Sequence, residues 1–303
     1  EWKVEEQYRK KKLNKDEVPV EEFRAECRAY AQHWVDTQRE QLKRLGIGGD
    51  WDHPYLTMDY EAEATIVREL LKFAANDMLY RGAKPVMWSP VEKTALAEAE
   101  IEYEDIVSTQ VDVAFEITDS PIEELKGAYA VIWTTTPWTI PVNQAIAYGP
   151  DVDYILFTLF AEPNGGAEES SIADGRMGEL GIPIGAKLLV AAPLFESFVG
   201  RLKRIADQAD WSDIASDTPD LLALFGIKEI KGSDLAGTIA RHPMHALGGF
   251  FARPRPFLAG DFVTTDSGTG LVHMSPDHGE DDFDLCKANG LDPVFAVEGD
   301  GKY

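Results

Sequence analysis

Apolar residues recur at helical spacing in the first part of the chain. They keep this spacing over residues 21–45 and again over residues 60–80, and a glycine ends each run, Gly46 and Gly82. Glycine commonly stands just past the end of a helix, because it adopts a left-handed conformation without a Cβ penalty. The pattern therefore predicts two helices and a mainly helical first part of the chain.

Short apolar runs between turn signals replace the helical spacing from about residue 108 onward. Such runs predict strands over residues 111–115, 128–133, 154–157, 188–190 and 262–265. An earlier run predicts one more strand, over residues 84–88. Helices are predicted over residues 194–208 and 218–225. Residues 162–171 have the polar, glycine-rich composition of a loop, which predicts a surface insertion.

The stretch 133–139 reads Trp-Thr-Thr-Thr-Pro-Trp-Thr and follows an apolar run. Threonine is stiff at χ1 and favours strands, whereas Pro137 blocks regular strand pairing, so the stretch predicts a strand that breaks into a turn. Four hydroxyls and an indole then converge on a small area. Such a pocket can form hydrogen bonds with a polar ligand and can also measure the bulk of an apolar group.

A second stretch, residues 268–283, contains two histidines and four acids. It reads Gly-Thr-Gly-Leu-Val-His-Met-Ser-Pro-Asp-His-Gly-Glu-Asp-Asp-Phe. Its pattern predicts a strand, a turn and the start of a helix, with His273 on the strand and His278 in the turn. The acids after the turn are then in the first turn of a helix, where the helix dipole favours negative charge.

Together the two stretches resemble the editing domain of class I isoleucyl-tRNA synthetases, an insertion called connective peptide 1. Both stand in the order that this family shows, and Asn143 falls at a matching place. The valyl and leucyl relatives usually carry arginine where this chain has Thr136, so the chain resembles the isoleucyl branch. An editing domain of the valyl or leucyl type is the alternative within the family.

Residues 1–105 resemble the flank that joins this insertion to the catalytic domain of such synthetases, through the strings at 49–59 and 84–88. In many relatives a Cys-x-x-Cys follows the second string, whereas this chain has Ser-Pro-Val-Glu, so no zinc site is expected there. The predicted domains are therefore the flank, 1–105, and the editing domain, 106–303. The resemblance implies an α/β (α+β) fold, in which a β-barrel-like editing domain with peripheral helices follows a mainly helical flank.

Two signatures that bind ATP in class I synthetases do not occur in the sequence, His-x-Gly-His and the Lys-Met-Ser-Lys-Ser-like loop. The resemblance therefore implies a piece of a much longer enzyme, which does not activate amino acids by itself. No cofactor is expected for this piece. The parent enzyme is expected to use ATP and Mg²⁺, and any zinc site is expected outside this chain.

Acidic residues greatly outnumber basic ones, with 53 Asp and Glu against 29 Lys and Arg and a net charge of −24. Binding to a nucleic-acid backbone depends mainly on Lys and Arg. An extensive RNA interface is therefore disfavoured, whereas a site that grips the end of one strand is compatible with this charge. Basic residues cluster at 9–12, 201–204 and 253–255, and these clusters are the local candidates for such a site. The interpretation favoured for each of them is a solvated surface patch.

The chain has two cysteines far apart, Cys27 and Cys286, and no Cys-x-x-Cys. This spacing argues against a disulfide framework and against a zinc ribbon, and it suits a reducing cytoplasm. No apolar run approaches the roughly 20 residues of a membrane span. A cytoplasmic protein with no membrane partner is therefore expected.

The resemblance also implies a substrate and partners. The substrate is the 3′ end of tRNA(Ile) that carries valine by mistake, and the other partner is the remainder of the same synthetase chain. The implied reaction is hydrolysis of the ester between the amino acid and the terminal ribose. A second site is needed because an apolar pocket distinguishes only weakly between side chains that differ by one methylene.

The resemblance assigns Asp282 to the α-ammonium group of the aminoacyl ester, which a carboxylate holds by a charge-assisted hydrogen bond. An ordinary acid at a helix N-terminus is the alternative for Asp282. His273 is implied to form the pocket wall that excludes isoleucine. The alternatives for His273 are a general base, since imidazole titrates near neutral pH, and a satisfied core histidine.

The threonines of residues 133–139 offer hydroxyls to the ribose, the ester carbonyl and a water, although strand propensity alone also explains them. The predicted catalytic residues are Asp282, Thr135 and Thr136. The predicted substrate-binding residues are Thr134, Trp138, Thr139, Asn143 and His273.

No Ser-His-Asp or Cys-His arrangement has a suitable context, and no Gly-x-Ser-x-Gly elbow occurs. The predicted chemistry is therefore direct attack by a positioned water, which depends on orientation and electrostatics. The sequence thus predicts an editing hydrolase. A non-catalytic module that binds the tRNA 3′ end is the alternative from another class.

Overall fold

The chain divides into two compact units, Glu1–Gly82 and Ala83–Tyr303. A computed structural model describes residues 1–162, 185–208 and 221–303. The insertion predicted at residues 162–171 lies outside the described residues, apart from Glu162.

The first unit is built from the helices α1 (Trp2–Lys10), α2 (Val20–Arg44) and α3 (Tyr60–Ala75). Helix α2 confirms the helix predicted over residues 21–45. Helix α3 confirms most of the one predicted over residues 60–80 but ends earlier. Its C-cap is Asn76, and Asp77 then takes a left-handed conformation with φ 55°, which cannot continue the helix.

The core of the first unit is small. Val4, Tyr8 and Phe23 are buried, and the rings of Tyr8 and Phe23 pack edge to face with centroids 5.7 Å apart. Helix α3, by contrast, leaves large apolar side chains about half exposed, including Ile66 at 56% and Phe73 at 53%. Most of the apolar stripe on α3 is therefore not covered by the described residues.

Residues 83–105 pack with the second unit. Strands β1 (Trp88–Ser89) and β2 (Thr94–Ala95) pair as a short hairpin, and the Trp88 Nε1 group donates a hydrogen bond to the Gly299 carbonyl at 2.8 Å. The compact units therefore divide after Gly82, whereas the sequence predicts a domain boundary after residue 105. The strand predicted over residues 84–88 is present only at its last residue.

The second unit contains a nine-stranded sheet. Its strands are β3 (Val111–Asp119), β4 (Tyr129–Thr134), β5 (Ala145–Tyr148), β6 (Asp153–Glu162), β7 (Lys187–Ala191), β8 (Leu221–Lys231), β9 (Ile239–Arg241), β10 (Pro254–Ala259) and β11 (Leu271–Met274). Two neighbouring pairs are parallel, β10 with β5 and β4 with β7, and the other pairs are antiparallel.

The strand order is β11-β5-β10-β9-β3-β4-β7-β6-β8. The sheet curls so that the end of β7 comes close to the start of β11. There the Ala191 amide donates a hydrogen bond at 2.7 Å to the Thr269 carbonyl. Across the described residues, however, β11 and β8 stay unpaired at the two edges and do not close a barrel. The predicted mixed α/β (α+β) fold is confirmed, with a curled open sheet in place of a closed barrel.

Two further helices flank the sheet, α4 (Phe195–Gln208) and α5 (Glu280–Ala288). Helix α4 confirms the helix predicted over residues 194–208 and buries Phe195 and Phe198 against Phe157 of β6. Helix α5 follows β11 after a short turn, as the pattern of residues 268–283 predicts. It places an acid-rich first turn beside the end of the sheet.

The helix predicted over residues 218–225 is wrong where the structure describes it. Residues 221–225 begin β8 and pair antiparallel with β6, with Leu221 opposite Glu162. A short run of leucine, alanine and phenylalanine fits a buried strand as well as a helix, and pairing with a distant strand decides between them. Residues 218–220 lie outside the described residues.

The strand predicted over residues 262–265 is also wrong, because these residues form a loop. The chain turns directly after β10, where the Val263 amide donates to the Gly260 carbonyl at 3.2 Å and the Gly260 amide donates to the Tyr148 carbonyl at 2.9 Å. Val263 is buried in a small core with Met274 and Cys286. The apolar character that predicts a strand here reflects loop packing.

The buried hydroxyl of Tyr154 connects two distant turns of the second unit. It donates a hydrogen bond to the Gly270 carbonyl at 2.8 Å and accepts one from the Gly149 amide at 2.9 Å. Burial raises the pKa of this phenol well above its usual range, so the hydroxyl stays protonated. Tyr154 thereby fixes the loop that precedes β11 against the start of β6.

Among the helices of the described residues, none is both long and apolar enough to cross a membrane. The same part of the chain contains no group of three or more His, Cys, Asp or Glu side chains that could hold a metal ion.

Candidate functional site

A cavity of about 570 Å³ lies where the two predicted stretches meet. Its walls come from the end of β4, the 3-10 helix Pro137–Val142, the loop at residues 262–270, strand β11 and the first turn of α5. The predicted site residues that line this cavity are Thr134, Thr135, Thr136, Trp138, Thr139, His273 and Asp282, and His278 from the turn lines it as well. We call this cavity the threonine pocket.

The threonine-rich stretch folds as the sequence predicts, from a strand into a turn. Strand β4 ends at Thr134, whose hydroxyl oxygen accepts a hydrogen bond from the Thr136 amide at 3.0 Å and lies 3.1 Å from the Thr136 hydroxyl. The Thr139 hydroxyl donates to the Thr136 carbonyl at 2.9 Å. The hydroxyls of Thr134 and Thr139 thus stabilise the turn. The Thr135 hydroxyl has no hydrogen-bond partner among the described residues.

His273 is fixed in the wall of the threonine pocket. It lies opposite Ile146 in the β11–β5 register, is 7% exposed, and its Nε2 is 2.9 Å from the Thr139 hydroxyl oxygen. Because that hydroxyl gives its proton to Thr136, the imidazole donates from Nε2. The buried Nδ1 then has no partner among the described residues.

Burial lowers the pKa of His273 to about 4, and the nearby His278 and His242 act in the same direction. The ring is therefore uncharged at neutral pH. A general base works best with a pKa near the operating pH, so an imidazole with a pKa of about 4 is a weak base here. The geometry favours a rigid neutral wall over a base.

Asp282 lies in the first turn of α5 and faces the threonine pocket. Its Oδ2 accepts a hydrogen bond from the Ser275 amide at 2.7 Å. Burial raises the pKa of this carboxyl to about 6, the Ser275 amide opposes the shift, and the charges of Asp281 and Asp277 add to it. The carboxylate therefore lacks a compensating cation, which a cationic ligand would supply.

Gly279 is the N-cap residue of α5 and lies directly against Asp282. A Cβ at this position would lie 3.2 Å from both Cγ and Oδ1 of the Asp282 carboxyl. Any larger residue would therefore crowd the carboxylate that faces the pocket.

Asn143 is the predicted site residue that does not line the threonine pocket. It is fully buried, and its Nδ2 group donates a hydrogen bond to the Ala145 carbonyl at 2.8 Å. Ala145 begins β5, the strand that pairs with β11. Asn143 therefore supports β5, the strand beside His273, without lining the pocket.

Trp138 lies at the rim of the threonine pocket and is 55% exposed. Trp133 lies deeper, on β4, and faces Gly268, where a Cβ would approach the indole to 3.1 Å. Trp133 is therefore held by packing against Gly268, whereas Trp138 is open to a ligand.

Sequence reasoning missed several residues of the site. Ser275 is 1% exposed, lines the threonine pocket, and its hydroxyl has no partner among the described residues. The loop at residues 262–270 adds Thr264 and Thr269 to the lining. The signal for this loop is the pair Gly268 and Gly270, which both take positive φ angles, 83° and 74°.

His242 also escaped the sequence analysis. It is fully buried, its Nε2 donates to the Ile140 carbonyl at 2.9 Å, and its Nδ1 accepts from the Met244 amide at 3.0 Å. Burial lowers the pKa of this histidine. A neutral His242 thereby holds the 3-10 helix that carries Thr139 and Trp138.

Two of the basic clusters each contain one arginine that is not solvated as the sequence predicts, whereas Arg204 and Arg253 are exposed as predicted. Arg201 of α4 forms a bidentate ion pair with Asp112, at 3.1 and 3.0 Å, and also donates to the Gly268 carbonyl at 3.1 Å. Arg255 is 1% exposed and donates to the carbonyls of Arg253 and Phe250. Arg201 thus fixes the loop at residues 262–270, and Arg255 fixes the connection between β9 and β10. Both side chains are therefore structural.

The class of the protein follows from a comparison with known families. The class I tRNA synthetases (I, L, M and V) match residues 1–264, and the chain belongs to this family. Within it, the chain is similar to isoleucine–tRNA ligases. It is 56% identical over 304 residues to the ligase of Zymomonas mobilis and 47% identical over 305 residues to that of Gluconobacter oxydans.

Each of these matches covers 100% of this chain and 28% of the ligase. The chain thus spans less than a third of the length of these relatives. Among solved structures, the one described as the crystal structure of GlLeuRS-CP1 is 16% identical with a TM-score of 0.36, over 64% of this chain and 70% of that one.

Proposed function

We propose that this chain is the editing part of an isoleucine–tRNA ligase and hydrolyses valine from mischarged tRNA(Ile). The similarity to isoleucine–tRNA ligases over the whole chain supports this proposal. The observation that carries it is the placement of Asp282. A partly buried carboxylate without a cation faces the same cavity as a fixed neutral imidazole and a cluster of threonines.

Asp282 would hold the α-ammonium group of the aminoacyl ester. Bringing a cation to this partly buried carboxylate replaces an unpaired charge by a charge-assisted hydrogen bond. The Ser275 amide fixes Oδ2 at 2.7 Å, so the carboxyl orientation is set before the substrate arrives. A substrate anchored at its ammonium group presents its ester and its side chain in fixed directions.

His273 would measure the side chain of the substrate. Its ring is held through Nε2 by Thr139, which is itself held by the Thr136 carbonyl, so the wall has little freedom to move. A rigid wall can reject a side chain that is larger by one methylene, because packing against fixed atoms costs free energy when a side chain is too large. Valine is then admitted and isoleucine excluded.

The hydrolytic step would be attack of a water on the ester carbonyl carbon. The water forms the new C–O bond, the bond to the ribose oxygen breaks, and that oxygen takes a proton. The Thr135 and Thr136 hydroxyls line the pocket and are the groups available to orient the carbonyl and the water. The free ribose hydroxyl of the substrate is a further group that can assist.

The partners follow from the same proposal. The remainder of the ligase would supply ATP and Mg²⁺ chemistry, with any zinc site outside this chain, and would hold the body of the tRNA. The net charge of −24 disfavours an extensive interface with the tRNA body, so this chain would contact only the 3′ end of the RNA. Cys27 and Cys286 are both free, which supports action in the reducing cytoplasm.

The test is deacylation of Val-tRNA(Ile), Ile-tRNA(Ile) and Thr-tRNA(Val), measured side by side for the wild type and for Asp282→Ala. We expect the wild type to hydrolyse the valyl ester and Asp282→Ala to lose this activity. Loss of a charge-assisted hydrogen bond alone predicts a decrease of about 10- to 100-fold, and misorientation of the ester would add to it.

Asp284→Ala is the matched control, because Asp284 is an exposed acid on the same helix. It should hydrolyse Val-tRNA(Ile) at the wild-type rate. Equal rates for Asp282→Ala and Asp284→Ala would refute the anchor role. Binding of the valyl ester by the wild type without any turnover would instead support the non-catalytic module.

A further inference from the structure

A second histidine of the threonine pocket, His278, has no part in the proposed contacts with the substrate. It lies in the turn between β11 and α5, where its amide donates a hydrogen bond to the Ser275 carbonyl at 2.9 Å. Its side chain is 25% exposed and lines the threonine pocket. The turn therefore fixes the backbone of His278, while the imidazole ring stays in contact with the cavity.

The Asp277 carboxyl lies beside the His278 ring. Its Oδ2 is 3.3 Å from His278 Nε2, and the Asp277 side chain is 9% exposed. Burial raises the pKa of this carboxyl, and His278 opposes the shift, as do the Asp277 and Val294 amides. The carboxylate and the ring thus interact electrostatically. A proton on Nε2 is favoured because this nitrogen faces the carboxylate, so Nδ1 of the uncharged ring keeps its lone pair.

Three titratable side chains line the threonine pocket, and two of them have other roles. They are His273, His278 and Asp282. Burial lowers the pKa of His273 to about 4, and its Nε2 is held 2.9 Å from the Thr139 hydroxyl oxygen. In the proposed function, Asp282 holds the ammonium group of the ester, and a carboxylate in such an ion pair is a poor proton acceptor. His278 is therefore the remaining proton acceptor among the described residues of the pocket.

We propose that His278 is the general base that activates the attacking water. This inference rests on the proposed function and supplies the proton acceptor that its hydrolytic step requires. Imidazole is the side chain that most often has this role, because it accepts and returns a proton near neutral pH. The Asp277 carboxylate would stabilise the imidazolium that forms, which is what a carboxylate does for the histidine of a catalytic triad.

The proton would move in two stages. In the first, the water oxygen forms a bond to the ester carbonyl carbon, one water O–H bond breaks, and that proton passes to Nδ1 of His278. The former carbonyl oxygen then carries the negative charge. In the second stage, the bond between this carbon and the ribose oxygen breaks, and the imidazolium gives its proton to the ribose oxygen. The products are free valine and the deacylated tRNA, and the imidazole is again uncharged.

A purely structural role is the competing explanation for His278, since the residue belongs to a tight turn. A structural ring can be replaced by a side chain of similar size and polarity. A general base, by contrast, needs a nitrogen that takes up a proton in the reaction. Glutamine has similar size and polarity but does not take up a proton near neutral pH. The variant His278→Gln therefore distinguishes the two roles.

The test is deacylation of Val-tRNA(Ile) by the wild type, His278→Ala and His278→Gln, with the protein in excess over the ester so that the rate reports a single turnover. We expect the maximal rate of both variants to fall by about 10²- to 10⁴-fold, the usual contribution of a general base. The protein concentration that gives half of this rate should change little, because Asp282 still holds the ester. Melting temperatures close to that of the wild type would show that both variants fold.

Added imidazole provides a second measurement. At constant pH and ionic strength, and after correction for hydrolysis without protein, imidazole should raise the rate of His278→Ala, because it can enter the space that the ring has left. His53→Ala is the matched control. His53 Nδ1 also lies close to a carboxylate, 3.2 Å from Asp50 Oδ2, but its side chain is 84% exposed and does not line the threonine pocket. This variant should keep the wild-type rate with and without imidazole.

A wild-type rate for His278→Ala or for His278→Gln would overturn the general base. A loss in His278→Ala that imidazole does not restore would also overturn it, because a structural ring predicts that result. An active wild type with unaffected variants would refute the base and leave the proposed function intact. A wild type that hydrolyses no ester would instead refute the proposed function, and the base with it.

Discussion

At the residue scale, the site contains a buried imidazole, His273, and a partly buried carboxyl, Asp282, whose pKa values move in opposite senses for the same reason. Burial raises the pKa of Asp282 to about 6 and lowers that of His273 to about 4. Each shift favours the neutral form, because both groups lose hydration. In the proposed function, the carboxylate would be stabilised when a cation binds, and the imidazole would act as a neutral wall.

The wall role of His273 predicts a gain of activity. His273→Ala removes the ring, so the pocket should admit isoleucine, and the variant should hydrolyse Ile-tRNA(Ile) while it retains most activity on Val-tRNA(Ile). Deacylation of both esters measures this. A general base predicts the reverse, a loss of about 10²- to 10⁴-fold on both esters. Equal losses would thus exclude the wall.

The pKa of Asp282 predicts how editing depends on pH. Only the ionised carboxyl holds the ammonium group, so kcat/KM for Val-tRNA(Ile) should rise as the pH increases through about 6. The measurement is a pH profile corrected for spontaneous ester hydrolysis. A profile that is flat between pH 5 and pH 7 after this correction would contradict the anchor.

The same shift predicts a stability cost. The folded pKa of Asp282 lies above the ordinary value of about 3.9, so the unfolded state releases this proton first. The protonated Asp282 carboxyl therefore contributes fully to the free energy of unfolding below about pH 4. This contribution is lost as the pH rises through about 6. Asp282→Asn should therefore raise Tm at pH 7, by roughly 2–4 °C for each kcal/mol recovered, while it abolishes editing. A lower Tm would favour a purely structural role.

At the scale of elements, the pocket exists because a strand, a 3-10 helix, a glycine loop and a helix end meet at one place. The sequence predicts much of this, since the threonine stretch and the turn before α5 have strong local signals. It does not predict β5 or β10, which hold β11 in place through Ile146 and Phe257. Short buried strands are defined by distant partners, so local pattern does not reveal them.

The functional loop at residues 262–270 shows the same limit. Its Val263 is buried and its threonines are β-branched, which is typical of a strand, but Gly268 and Gly270 turn the chain into the pocket. Asp282 and His273 were found because a recognisable motif contains them. Ser275 was missed because the burial of its hydroxyl is visible only in the structure. His242 was missed because its partner, the Ile140 carbonyl, is distant in the sequence.

Gly270 provides a prediction about this loop. Its φ is 74°, and a Cβ there would lie 2.2 Å from the Ala191 Cβ. Gly270→Ala should therefore combine backbone strain with overpacking and destabilise the protein by about 2–4 kcal/mol. Gly127→Ala is the matched control, since Gly127 has φ 77° with no atom within 4 Å, and strain alone should cost about 1–2 kcal/mol. Urea unfolding measures both, and equal costs would contradict the steric argument.

At the scale of the whole molecule, charge and composition restrict what the chain does alone. Its net charge of −24 disfavours contact with the body of a tRNA, and the sequence lacks both ATP-binding signatures of the family. We expect no isoleucine-dependent ATP–pyrophosphate exchange by the purified chain. We also expect similar kcat/KM values for a valylated hairpin and for full-length Val-tRNA(Ile). Detectable exchange, or a large advantage for the full tRNA, would contradict this.

The division of the chain after Gly82 has a practical consequence. Every residue that lines the threonine pocket belongs to the unit Ala83–Tyr303. The half-exposed apolar stripe of α3 belongs to the other unit. The site of the proposed editing reaction and the exposed apolar stripe thus belong to different compact units of the polypeptide. If the proposed editing activity resides wholly in the second unit, it would be portable, and that unit could be transferred to another protein without the helical unit.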